Sequence, residues 1–173
     1  MTFDSRALEA INSWCSEQTE GMIPQILEDI PEDACLFTIN SIYFKGDWTV
    51  KFDKSDTRTK SFTNIDGSSG QIPMMHMEEM FEYSSNDIWA TARLPYGNGS
   101  YSMYVLLPHE NMGLEDVLSA LDSQTWENEK NMMSAARLDL MLPSFETETN
   151  LKLKDVMKHL GMARAFDPFH AEF

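Results

Sequence analysis

The 173 residues include 28 acids against 13 bases, for a formal charge of -15, with 42% apolar and 24% charged residues. A chain of this length suits one domain, can bury roughly 70% of the surface its unfolded form exposes, and lies outside the disordered and collagen-like composition ranges. The acidic excess disfavours nucleic acid, whose phosphates are bound by Lys and Arg, and no stretch reaches the roughly 20 apolar residues of a membrane span.

From Ser5 to about Glu17 the apolar residues Ala7, Leu8, Ile11, Trp14 and Cys15 recur at three- and four-residue spacing, which predicts an amphipathic helix ending near Gly21. The N-terminus "MTFDSRALEA" has neither the basic nor the apolar region of a signal peptide, so the chain as given is expected to be soluble. In "MIPQILEDIPEDA", Pro24 and Pro31 block a long helix, and its Ile and Leu side chains predict an irregular segment lying over an apolar surface. "ACLFTINSIYF", residues 34 to 44, alternates Phe37, Ile39 and Tyr43 with Leu36, Ile42 and Phe44. Both faces are apolar, so a strand internal to a covered sheet is expected.

Further β candidates follow: "KSFTN" and "GQIPMMHM" around the turn "IDGSSG", then "MFEYSS", "WATARLPY" and "YSMYVLLP". Gly97, Asn98 and Gly99 read as a hairpin turn between the last two. Residues 112 to 131 switch to helical spacing, with Leu114, Val117, Leu118 and Leu121 in one stripe and a second short helix in "DSQTWENEK" after a capping Asp or Ser. "ARLDLMLP" returns to alternation, and "NLKLKDVMKHLG" reads as a helix closed by Gly161. Strands outnumber helices and no repeat or low-complexity linker divides the chain, so the class is α+β with mostly antiparallel sheets.

No motif for catalysis is present: GxSxG, GxxxxGK[ST], GxGxxG and HExxH are all missing. Glu78 with Glu79, and Glu146 with Glu148, read as solvated faces, and Met74 and Met75 as core fillers. Cys15 and Cys35 make neither a disulfide framework nor a CxxC pair and read as buried small apolar residues. His76, His109, His159 and His170 lack metal-ligand spacing, so neither a metal nor another cofactor is expected.

Six runs taken in order, "INSWCSEQTEGMI", "NSIYFKGDWTVKFD", "IPMMHMEEMFEY", "LPYGNGSYSMYVLLP", "RLDLMLPSFETE" and "LKDVMKHLGMARAFD", resemble the serpins, the serine protease inhibitor family. The resemblance implies a single partial serpin domain over residues 1 to 173, the middle of the full fold and less than half its usual length. Ser5 to Glu17 would be the end of helix F, residues 22 to 33 the segment in front of sheet A, and residues 34 to 44 strand 3A. Residues 48 to 107 would supply strands of sheets B and C, residues 112 to 131 helices G and H, and residues 135 to 161 strand 2C, strand 6A and helix I. The N-terminal helices, strand 5A, the reactive-centre loop and strand 1C would lie outside these residues.

In the family a protease cleaves the exposed loop, which then inserts between strands 3A and 5A and traps the acyl-linked protease; strand addition and release of stored strain drive the change. The resemblance therefore implies that the parent inhibits serine or cysteine proteases, that the bait residue lies outside this chain, and that no catalytic residue is expected within it. Asn40 matches the shutter asparagine, whose partner is a histidine on strand 5A, and Trp48 matches the tryptophan of the breach, where the loop first enters the sheet. Read from the residues alone, Trp48 is a core aromatic and Asn40 a polar side chain tolerated in a strand.

Two positions depart from the family pattern: Met22, where Lys is frequent, and Ser144, in place of a lysine that pairs with an acid of the loop hinge. The alternative is a non-inhibitory serpin acting as a binding or chaperone module. Family habit implies secretion, and the unpaired apolar strand at 34 to 44 implies self-association of this chain.

Overall fold

The computed structural model describes residues 5–31, 34–147, 149–167 and 169–171. They divide into two compact units, one made of the residues up to Lys45 and those after Thr147, the other of Gly46–Thr147.

In the first unit, α1 spans Ser5–Gln18. Glu20 and Gly21 both take positive φ, and the Gly21 N–H donates to Ser16 O at 2.7 Å, the six-to-one bond that closes a helix through a left-handed residue. Thr19, 1% exposed, donates through its hydroxyl to Cys15 O at 2.8 Å and accepts from Ile23 N at 3.0 Å, so it ties the last turn to the outgoing chain. That chain is then held by one helix side chain. Asn12 Nδ2 donates to Leu27 O at 2.8 Å while its Oδ1 accepts from Ile26 N at 2.9 Å and Leu27 N at 3.0 Å. The irregular 22–31 segment thus meets its backbone needs through a helical amide, as a segment without a ladder must; Glu32 and Asp33 lie outside the described residues.

Residues 34–44 differ from expectation: they run without helix or strand. Strand pairing needs a ladder partner, and no ladder among the described residues includes them. Leu36, Ile42 and Phe44 are 59%, 80% and 52% exposed, so the segment is not a buried internal strand here. Cys35 is exposed and Cys15 buried, and neither is in a disulfide; the expectation of two buried cysteines fails for Cys35, whose segment has Leu36 and Ile42 exposed beside it. The C-terminal helix is shorter than expected. α4 covers only Lys154–Met157, followed by a π turn at Lys158–Met162 that breaks at Gly161, φ +101, and a 3-10 turn at Ala163–Phe166.

The second unit is one antiparallel sheet: β1 (Arg58–Thr63), β2 (Ser69–Ser85), β3 (Trp89–Tyr96), β4 (Tyr101–Pro108) and β5 (Ser134–Pro143). The order is β1-β2-β3-β4, with β5 also paired to β2. The two candidates "GQIPMMHM" and "MFEYSS" fuse into the 17-residue β2, which pairs β1 through Ser69 to Met74, β5 through Met74 to Tyr83 and β3 through Glu82 to Ser85. Alternation sorts its side chains. Met75, Met77 and Phe81 face a core that contains Ala92, Leu94 and Leu142, with Trp48, Phe52, Met103, Val105, Leu138 and Leu140 packed against it.

The other face is polar along β2 and β5, where His76 Nε2 lies 2.7 Å from Asp139 Oδ1, Arg137 pairs with Glu78 at 3.4 Å, and Arg93 of β3 pairs with Glu82. The Glu82 carboxylate raises the Arg93 pKa.

Two helices join β4 to β5: α2 (Leu114–Ala120) and α3 (Ser123–Met132). Asp122 caps α3, its Oδ1 accepting from Thr125 N at 2.7 Å, as a helix start requires of one of its unsatisfied N–H groups. Of the expected stripe on α2, Val117 is buried while Leu114 and Leu118 are half exposed or more, at 50% and 58%.

Candidate functional site

The site residues expected from the sequence are Trp48 and Asn40. Trp48 forms an isolated antiparallel bridge to Tyr96 and stacks on its ring, with centroids 4.3 Å apart and planes at 15°. Phe52 meets Trp48 edge-on at 6.2 Å and 75°. Offset or edge-on contact of this kind favours aromatic pairs beyond the area they bury.

The backbone on either side of Trp48 is tied to the same hairpin. Thr49 N donates to Pro95 O at 2.9 Å and Gly97 N to Asp47 O at 2.8 Å, and the Thr49 hydroxyl donates to Gly97 O at 2.8 Å. Gly97 has φ +49, a left-handed conformation that glycine adopts without a Cβ penalty. Burial raises the Tyr96 pKa. Segment 47–49 is therefore fastened to the tip of the β3–β4 hairpin through backbone, hydroxyl and ring contacts.

Asn40 belongs to the other unit. It is exposed, and among the described residues no hydrogen bond to its amide is present. In the same segment Lys45 lies 4.0 Å from Glu20, an exposed pair of small energetic weight.

Sequence reasoning missed a buried carboxylate. Glu129, on α3 and 3% exposed, accepts from Ser84 Oγ at 2.7 Å, Thr91 Oγ1 at 2.8 Å and Asn86 Nδ2 at 3.0 Å. One turn earlier on the same helix face, Trp126 meets Tyr104 of β4 edge-on at 4.8 Å and 81°. The pair fixes α3 to the polar face of the sheet. Its trace in the sequence is the three-residue spacing of Trp126 and Glu129, which puts both on one face of the helix.

The four histidines each satisfy a local partner. His76 meets Asp139, His109 Nε2 lies 2.8 Å from Asn86 O, His159 Nδ1 2.7 Å from Asp155 O, and His170 Nδ1 2.7 Å from Asp167. Among the described residues no group of three His, Cys, Asp or Glu side chains could hold a metal ion, and no helix is long and apolar enough to cross a membrane. Glu148, half of a carboxylate pair read from the sequence, lies outside the described residues.

The family model described as "Serpin (serine protease inhibitor)" matches residues 1–173. The chain belongs to the serpins. Among curated serpins it is 32% identical to Iripin-8 of Ixodes ricinus over 92% of this chain and 40% of that protein. It is 36% identical to Serpin B3 of Homo sapiens over 91% of this chain and 42% of that protein. Among solved structures, the native state of the thermophilic serpin tengpin superposes with a TM-score of 0.88 at 28% identity, covering 98% of this chain and 44% of that one. The chain thus spans well under half the length of these relatives, and its α+β fold with an antiparallel sheet is a serpin fold.

Proposed function

We propose that the full-length protein containing this chain is a protease inhibitor that acts on serine or cysteine proteases by loop insertion. The observation that carries this reading is the family match along all 173 residues; both compact units fall within it, in accord with one partial serpin domain. A target protease cleaves a loop outside this chain, and the loop enters beside residues 34–44. The uncovered state of that segment, with Leu36 and Ile42 exposed, fits a strand whose neighbours are supplied elsewhere.

In this reading Asn40 is one half of the shutter latch and Trp48 the residue at the breach. Trp48 is suited to that place because it is anchored to the β3–β4 hairpin through Tyr96 and segment 47–49 and is held edge-on by Phe52. The chain itself does no catalysis and does not inhibit, and the full-length protein is secreted.

The test is to incubate the full-length protein with chymotrypsin-like, trypsin-like, elastase-like and papain-like proteases. An SDS-stable complex with any of them supports inhibition. Clean loop cleavage by every one overturns it in favour of a non-inhibitory binding or chaperone serpin, a second reading supported by Ser144, which stands where the hinge-pairing lysine is expected and puts that hinge contact in doubt.

A further inference from the structure

The β3–β4 hairpin carries a feature that the inhibitory reading leaves unused. Of the nine asparagines in the chain, only Asn98 is followed by X-Ser or X-Thr, in Asn98-Gly99-Ser100. That triplet is the acceptor pattern for an N-linked glycan, and its other eight opportunities are all declined.

The structure places the triplet where a bulky modification is tolerated. Asn98 and Ser100 are both exposed, at the tip of a hairpin whose strands pair in register from Trp89 with Pro108 to Tyr96 with Tyr101. The backbone of the tip is already satisfied from within, since Gly99 N donates to Tyr96 O at 2.7 Å and Gly97 N to Asp47 O at 2.8 Å. Gly99, at φ +86, is the X position, the smallest residue the pattern allows.

The carboxamide of Asn98 is also arranged for reaction at nitrogen. Its Oδ1 accepts from Ser100 N at 3.1 Å, which turns the side chain back over the triplet, and among the described residues no hydrogen bond engages its Nδ2. We propose that Asn98 is an N-glycosylation site of this serpin. The donor is a lipid-pyrophosphate-linked oligosaccharide of the secretory pathway: Nδ2 attacks the sugar C1, the C1–O bond to the pyrophosphate breaks, the lipid pyrophosphate leaves, and one amide proton is released. Because Gly97 of the same tip bonds to Asp47 and Thr49 on either side of Trp48, the glycan stands beside the segment read as the breach.

The proposal rests on secretion of the full-length protein, so the experiment separates the two. The full-length protein is expressed in mammalian cells with its own leader and, in parallel, with a heterologous secretion leader. Its appearance in the medium with its own leader tests secretion. In the heterologous arm, the peptide containing Asn98 is mapped with and without peptide N-glycosidase in heavy-oxygen water, and the label read is the enzyme-dependent one, which marks the aspartate left in place of a glycosylated asparagine. The expected result is a labelled peptide in the wild type and in Ser100→Thr, lost in Asn98→Gln and in Ser100→Ala. An unlabelled Asn98 peptide in the secreted wild type, or a label that survives Ser100→Ala, overturns the site.

Discussion

Trp48 lies flat on Tyr96, 4.3 Å between ring centroids, and the hydrogen bonds of Asp47 and Thr49 to Gly97 and Pro95 hold the two rings in that pose. Trp48→Ala removes the stack, the edge contact to Phe52 and a half-buried indole from the rim of the core, at an expected cost of about 3 kcal/mol in the stability of the sheet unit. Trp48→Phe keeps a ring over Tyr96 and costs about 1 kcal/mol. Urea unfolding of the two variants checks the order; equal midpoints for Trp48→Ala and wild type would show that the stack bears no load.

Glu129 gives a sharper contrast. Removing it by Glu129→Ala strands the hydroxyls of Ser84 and Thr91 and the amide of Asn86 in a buried place, which costs about 3 kcal/mol. Glu129→Gln keeps one oxygen for the hydroxyls but sets an amide N–H against the Asn86 N–H, so its cost is about half as large. Replacing the cluster together, with Glu129→Leu, Ser84→Ala and Thr91→Val, recovers part of the loss because no donor is left without a partner but that of Asn86. Denaturant midpoints that fall further in the triple variant than in Glu129→Ala would contradict this.

The regular elements of the sheet unit were legible in the sequence because their signals are local. The alternation of "WATARLPY" and "YSMYVLLP" around Gly97 to Gly99 predicts β3 and β4 to the residue, and Asp122 caps α3 as its side chain suggests. Where partners decide the outcome, local pattern failed. Residues 34–44 have the apolar alternation of a strand but no ladder among the described residues, and "NLKLKDVMKHLG" turns helical only from Lys154, passing into a π turn that breaks at Gly161 as expected.

Trp48 could be picked out by its family pattern, yet nothing local announces Tyr96 as its partner 48 positions on. The clamp of Asn12 on Ile26 and Leu27 was equally hidden, since an asparagine on the polar side of an amphipathic helix looks like any solvated residue.

Asp122 makes the acid response of α3 testable. Hydrogen bonds from Thr125 hold its carboxyl below the ordinary value of 3.8, so the folded state binds its proton less readily than the unfolded state. The stabilisation is therefore complete above that ordinary value and is lost as the pH falls through the lowered folded value. Asp122→Ala is expected to melt at a lower temperature than wild type at pH 7, with the gap closing as the pH drops below 3.8. Asp122→Asn retains a capping oxygen and should melt close to wild type at pH 7. A gap between wild type and Asp122→Ala that is unchanged in acid would show that the charge on the cap is irrelevant.

The last prediction concerns the chain in isolation. Leu36 and Ile42, with Phe44, expose apolar side chains along a stretch that takes neither helix nor strand. A run of exposed apolar side chains of this kind favours contact between molecules. β1 adds an open edge, every residue of which is exposed, but its Arg58 and Lys60 oppose pairing with a like strand. The 34–44 stretch has no charged residue at all, so it should dominate. Self-association is thus expected in sedimentation over roughly 1 to 100 µM, with a weight-average mass above that of one chain that rises with concentration. Leu36→Lys with Ile42→Lys should return the chain to a monomer, whereas charge added to β1 at Phe62→Lys should leave the association in place. A concentration-independent monomer for the unmodified chain would overturn the expectation.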